Sequence, residues 1–235
     1  MHFFRTDKVM NFKTLKTIIK NKKNKSEFAI IRNLTTGETE LFEKNLIQSK
    51  KFEKYSKQIN YFFKNKKNGI IDDSDIFVET FKRPVQLIIV GAVHITQYLI
   101  DFATKLNFEI YVIDPRGYFA NKKRFPDINV LNKSPEEAFK EIETDESTAL
   151  VVLSHDPKID DPAIKQALNK NFYYIGALGS KKTHQNRCER LKESGFSSNQ
   201  ISSIHGPVGI KLGGKSAPEI ALSIIAQLVA ETYKK

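Results

Sequence analysis

The chain has 235 residues, with 38 basic against 27 acidic side chains and a formal net charge of +11. Hydrophobic residues at 40% and charged residues at 28% lie near soluble globular values, which excludes global disorder and a fibrous repeat. No apolar run approaches the roughly 20 residues that cross a bilayer, and the single Cys188 excludes an internal disulfide framework. The start, Met1-His-Phe-Phe-Arg-Thr-Asp-Lys8, has no continuous apolar core of the kind a secretory signal needs, so a cytoplasmic protein is expected.

The length suits one full domain and a smaller module. Apolar positions Phe12, Leu15, Ile18 and Ile19 predict a helix over residues 12–21. Short apolar runs at 28–31 and 40–42 flank Thr35-Thr-Gly37 and predict a hairpin. A second helix is expected over 49–63, followed by a polar linker over 64–75. Residues 1–76 thus read as a small basic α/β module and residues 77–235 as a second domain. The excess charge sits early, because residues 1–83 hold 19 basic and 10 acidic side chains. Clustered cations attract polyanions, but no nucleic-acid-binding module or stacking platform accompanies them. A solvated face, or a surface for an acidic protein, accounts for them, and nucleic acid is not expected.

Beyond residue 76 short apolar runs alternate with helical patterns. Strands are expected at 85–90, 108–113, 149–153 and 172–175, the first a continuous apolar run of the kind covered on both faces and the third also buried. Ser134-Pro-Glu-Glu137 and Ser216-Ala-Pro-Glu219 are capping boxes that start helices. Asp161-Pro162 is expected to start another helix, and residues 181–193 form a further one closed by Gly195. The alternation predicts an α/β fold, a Rossmann-like parallel sheet domain with a smaller N-terminal α/β module.

The first of these strands runs into Gly91-Ala-Val-His-Ile-Thr96, and Asp114 follows at the end of the second. That spacing resembles the fingerprint in which an acid meets a ribose hydroxyl, so NAD(P) is one reading. Val93 stands where the second glycine of that fingerprint belongs, and its Cβ branch would push a phosphate away. Two further glycine loops precede helices, one with Gly179 and Ser180, the other with Gly213 and Gly214. Helix amides and dipoles at such places attract phosphate or carboxylate, though flexible glycines alone also explain them. Ser154-His-Asp156 ends a third strand, where His155 and Asp156 could serve acid–base chemistry, bind a hard cation, or simply form a turn. No zinc-helix spacing, nucleophile elbow or Walker loop occurs, so the pattern assigns no catalytic residue and no metal site.

Taken together, Gly91-Ala-Val-His94, Asp114-Pro-Arg116, Phe119-Ala120 with Arg124-Phe-Pro126, Ser154-His-Asp156 with Lys158-Ile-Asp-Asp-Pro162, Tyr174-Ile-Gly-Ala-Leu-Gly-Ser180, Gly206-Pro-Val-Gly209 and Pro218-Glu-Ile-Ala-Leu-Ser-Ile224 resemble the XdhC/CoxI family over roughly residues 77–232. The family usually has Gly-Ala-Gly-His at the first turn. Its longer members carry a glycine- and cysteine-rich motif that residues 1–83 lack. The resemblance implies a chaperone-like accessory protein that binds molybdenum cofactor (molybdopterin) and passes it to an apo molybdenum hydroxylase of the xanthine dehydrogenase type. It also implies a cysteine desulfurase partner and a homodimer. Its cofactor-binding residues would be Gly91, His94, Asp114, Arg116, Ser154, His155, Asp156, Gly179, Ser180, Gly213 and Gly214.

Overall fold

The computed structural model describes residues 12–24, 26–43, 46–47, 51–65, 67–81, 83–145 and 147–234. Residues 1–8, on which the expectation about a signal falls, and residues 49 and 50 of the expected second helix lie outside this set. The chain divides after Pro84 into two compact units.

The first unit contains α1 (Phe12–Lys23), β1 (Phe28–Asn33), β2 (Thr39–Glu43), β3 (Leu46–Ile47), a 3-10 turn at Glu53–Tyr55, α2 (Ser56–Lys64), β4 (Gly69–Ile70) and β5 (Ile76–Phe81). Its antiparallel sheet has the order β3-β2-β1-β5-β4. The predicted hairpin forms because Asn33 Oδ1 accepts from the amides of Thr35 and Thr36 and holds the turn. The domain division falls later than the expected 76. Ile76–Phe81 is a half-buried strand, with Ile76 and Val78 inward, and it pairs along β1 so that Phe28 and Phe81 stack at 4.6 Å. The expected linker also carries structure, since β4 lies within it and pairs with β5.

The second unit runs β6 (Gln86–Val90), α3 (His94–Lys105), β7 (Glu109–Ile113), β8 (Asn129–Leu131), α4 (Pro135–Glu141), β9 (Thr148–Val152), α5 (Pro157–Asn169), β10 (Tyr174–Ala177), α6 (Lys181–Glu193), α7 (Ser198–Ser202), β11 (Ile204–His205) and α8 (Ala217–Thr232). Its six strands are parallel in the order β11-β10-β9-β6-β7-β8. Side chains alternate across the pleat. Leu87, Ile89, Ala149 and Val151 therefore enter one core with α3 and α8, while Ile88, Val90, Leu150 and Val152 enter the other with α4, α5 and α6. Burial on both faces explains the continuous apolar runs. Strands are added on one side of β6 as far as β8 and then on its other side from β9, and ligands of such sheets bind beyond the strand ends at the switch point between β6 and β9.

One helix start is corrected. α5 begins at Pro157 with Asp156 as its cap, accepting from the Lys158 amide at 2.9 Å, and Pro162 lies inside the helix. Asp161 is instead buried, and its carboxylate accepts from Arg190 Nε and Nη2 at 2.6 and 3.1 Å. Both Asp-Pro pairs offer a cap and a first-turn proline, and only packing against α6 separates them.

Two histidines couple this unit to pH. His205 stacks on buried Tyr174 at 4.9 Å, and the His184 ring fills the space beside Gly206. Burial lowers the pKa of both below the usual value of 6.5. The neutral rings are therefore favoured in the folded state, and the stability they contribute is present above about pH 6.5 and lost as pH falls below it. The melting temperature should drop on acidification through that range, and His205→Phe should reduce the drop. A pH series of thermal melts checks this.

Candidate functional site

The site begins with Gly91. Its φ is +107°, and a Cβ there would lie 2.7 Å from Ser154 N, so only glycine lets the turn after β6 press against the end of β9. Asp114, at the end of β7, is fully buried. Its Oδ2 accepts from Ala92 N at 2.8 Å and Arg116 Nη2 at 2.7 Å, while Oδ1 accepts from Arg116 N at 3.0 Å and Nε at 2.8 Å. Burial opposes its ionisation, but the Arg116 guanidinium and the Ala92 amide outweigh that and hold its pKa below the usual carboxylate value.

Past Arg116 the chain builds a cleft with aromatic walls. Phe119 lies 5.0 Å from the Arg116 guanidinium and 6.0 Å from that of Arg124. Arg124 Nη1 donates to the carbonyls of Ala92 and Phe119 at 2.8 and 2.9 Å, tying the loop to the Gly91 turn. Val93, His94, Tyr118, Phe119, Asn121 and Arg124 help to line a cavity of about 620 Å³. Tyr118 is 87% exposed, unusual for a large ring that merely packs. His94 starts α3 at the rim, near Gln97 and Tyr98.

A second, smaller cleft lies between the β9–α5 loop and α6. His155, Asp160, Ser180, Lys182, Thr183 and Arg187 are among its walls. His155 is exposed and held at φ +64°, a left-handed conformation that a residue with a Cβ rarely adopts. Ser154 Oγ donates to Asp160 Oδ1 at 2.6 Å, and Ser180 Oγ caps α6 by accepting from the Thr183 amide at 3.1 Å.

The expected residues are thus brought to the carboxyl ends of the strands, but in different roles. Gly91, His94 and Arg116 belong with the aromatic cleft; His155 and Ser180 face the second one, with Ser154 and Gly179 beside it. Asp114 meets no open space, because all its acceptor positions are used within the protein. Asp156 serves as the α5 cap. Gly214 is pressed by Glu219, whose carboxyl carbon lies 2.5 Å from a Cβ placed there, and Glu219 already accepts from the Lys215 and Ser216 amides. The Gly213–Gly214 loop therefore presents an anion with a helix end that already holds its own carboxylate.

Arg187 carries no recognisable signal in the sequence, since an arginine inside a charged helix reads as solvated. The pairing of Asp160-Asp161 with Arg187 and Arg190, three apart on α6, is the pattern that could have marked it.

A doubly wound parallel sheet with clefts at its switch-point edge defines a Rossmann-type domain. The model of the XdhC Rossmann domain matches residues 87–228, more than half of the chain. The chain belongs to the XdhC family. It is 35% identical over 104 residues to the molybdenum cofactor insertion chaperone PaoD of Escherichia coli, covering 44% of this chain and 32% of that protein. It is 28% identical over 163 residues to a probable xanthine dehydrogenase subunit of Bacillus subtilis, covering 69% and 47%. These matches span less than half the length of either relative. Among solved structures, one described as a xanthine dehydrogenase from Bacillus halodurans aligns with a TM-score of 0.73 at 22% identity. It covers 94% of this chain and 65% of that one, a likeness of fold.

Arg116→Ala would strip two side-chain donors from a buried carboxylate and leave only the backbone amides of Ala92 and residue 116. Stability should fall by about 1–3 kcal/mol, the usual effect of leaving a buried acceptor unmet. Arg116→Lys should not restore it, because an ammonium cannot supply the two-pronged contact. Denaturant unfolding of both variants, with the Asp114 pKa rising by NMR in each, is the check.

Proposed function

We propose that the protein binds molybdenum cofactor and passes it to an apo molybdenum hydroxylase of the xanthine dehydrogenase type. The observation that carries this reading is the partly exposed Phe119 ring, with the guanidinium groups of Arg116 and Arg124 within 5.0 and 6.0 Å of it, on the cleft that Val93 and His94 also line. A flat, electron-rich heterocycle stacks on such a surface, and the adjacent cations suit an anionic appendage. The donor set fits the cofactor. Phe119, Tyr118 and His94 would meet its ring system, Arg116 and Arg124 its polar edge, and Gly91 keeps side chain out of the turn between them. Once inserted in its enzyme, the cofactor supplies oxygen-atom and electron transfer at molybdenum; this chain's residues bind and orient it and shield it from water.

The names of the relatives support the same reading, one being an insertion chaperone for this cofactor and the other part of such an enzyme. The proposal extends to a cysteine desulfurase as sulfur donor and to a cytoplasmic homodimer. An NAD(P)-dependent oxidoreductase is disfavoured on two counts. Asp114 has no free lone pair for a ribose hydroxyl, and Val93, extended at φ −85° and ψ −179°, stands where a pyrophosphate would approach.

Protein freshly isolated from cells that make the cofactor should release a fluorescent pterin on denaturation and oxidation. Phe119→Ala should retain several-fold less, since an aromatic stack contributes about 1 kcal/mol. Stoichiometric NAD(P) in the extract, with no pterin, would contradict the proposal.

A further inference from the structure

Arg187, only 3% exposed, is under-satisfied for a buried cation. Its Nη2 donates to Leu178 O at 3.3 Å and stands 3.7 Å from Asp160 Oδ2. Its Nε and Nη1 have no hydrogen-bond partner among the described residues, and neither has Asp160 Oδ2. Asp161 does not fill the gap, because its carboxylate is committed to Arg190 and reaches Arg187 Nε at only 4.0 Å. A buried guanidinium with two idle nitrogens is costly unless an acceptor arrives.

The same cleft holds a second unfilled demand. α6 is 13 residues long, and Ser180 Oγ satisfies only the Thr183 amide, so the amides of Lys181 and Lys182 have no intrahelical acceptor. The first turn of α6 has no acidic side chain and carries Lys181 and Lys182 instead, the unfavourable sign for the positive end of a helix dipole. At α4 and α8 a carboxylate, Glu137 or Glu219, sits at the equivalent place. The cavity measures about 240 Å³, below the roughly 300 Å³ at which whole-ligand sites begin, so it takes an end group.

We infer that this cleft is a phosphate subsite, binding the phosphomonoester end of a small ligand through Arg187 Nε and Nη1, Lys182 and the first-turn amides of α6. The inference rests on the ligand-carrying reading above and narrows its ligand to a phosphorylated heterocycle. Asp160 lies in the same cleft and opposes an anion while ionised. Burial raises its pKa, which eases uptake of a proton that would turn Oδ2 into a donor toward a phosphate oxygen.

Inorganic phosphate titrated into the full chain, followed by calorimetry, tests the subsite directly. Saturable binding is expected, weakened about tenfold or more by Arg187→Gln through loss of a charge-assisted contact. Because Arg187→Gln can disturb the core, exposed Lys182 supplies the second variant. Lys182→Ala should weaken binding roughly threefold at low salt and less at high salt. No saturable phosphate binding by the unaltered chain, or binding indifferent to Lys182→Ala, overturns the subsite. Molybdopterin compared with its phosphatase-treated form separates the two claims. Equal affinity for both forms removes the subsite and leaves the cofactor reading standing. Phosphate binding that responds to these substitutions, with no pterin bound, keeps the subsite and removes the cofactor reading.

Discussion

A carboxylate without solvent contact must find its donors inside the protein, and at Asp114 that requirement organises the crevice. The Ala92 amide ties the end of β7 to the turn after β6, and Arg116 is folded back over the carboxylate by its own backbone and side-chain donors. Gly91 makes the matching contact on the other side, where its missing Cβ is replaced by the backbone of Ser154. Three strand ends therefore meet where the strand order reverses. The aromatic cleft hangs from this arrangement, since Phe119 rests on Arg116 and Arg124 returns to the Ala92 carbonyl.

The helix N-termini around the same edge are treated differently. α5 takes its own Asp156, α4 takes Glu137 and α8 takes Glu219, so each begins with its charge demand largely met. α6 begins with lysines and a hydroxyl cap, and Arg187 lies on its next turns without enough acceptors. The contrast separates glycine loops that only close a helix from one that leaves room for an external anion. Gly214 belongs to the former group: it is glycine because Glu219 needs the space.

Much of the second unit was legible because its strands are buried on both faces and read as unbroken apolar runs. The end of α6 was legible from Gly195, which the structure holds at φ +90°, whereas Ser180 read as part of a glycine loop rather than as the cap of that helix. The short elements β8, α7 and β11 were not, for two to five residues carry no period that distinguishes them from loop. Residues 77–81 fall on the far side of the expected boundary because a short apolar run does not announce whether its partner is parallel or antiparallel. For the site, the Gly91 turn and Asp114 were visible as a spacing. That Asp114 would be consumed by Arg116, and that Arg187 would be buried against α5, depends on contacts between distant elements.

Amide hydrogen exchange of the full chain, with and without molybdopterin, tests the central claim, that one ligand engages the switch-point edge through both clefts. The account predicts slowed exchange in the turn at residues 91–94, in the loop at 116–124 and at the start of α6, with the Gly213–Gly214 loop unchanged. Protection confined to the Gly213–Gly214 loop, or none at the first two segments, would contradict it.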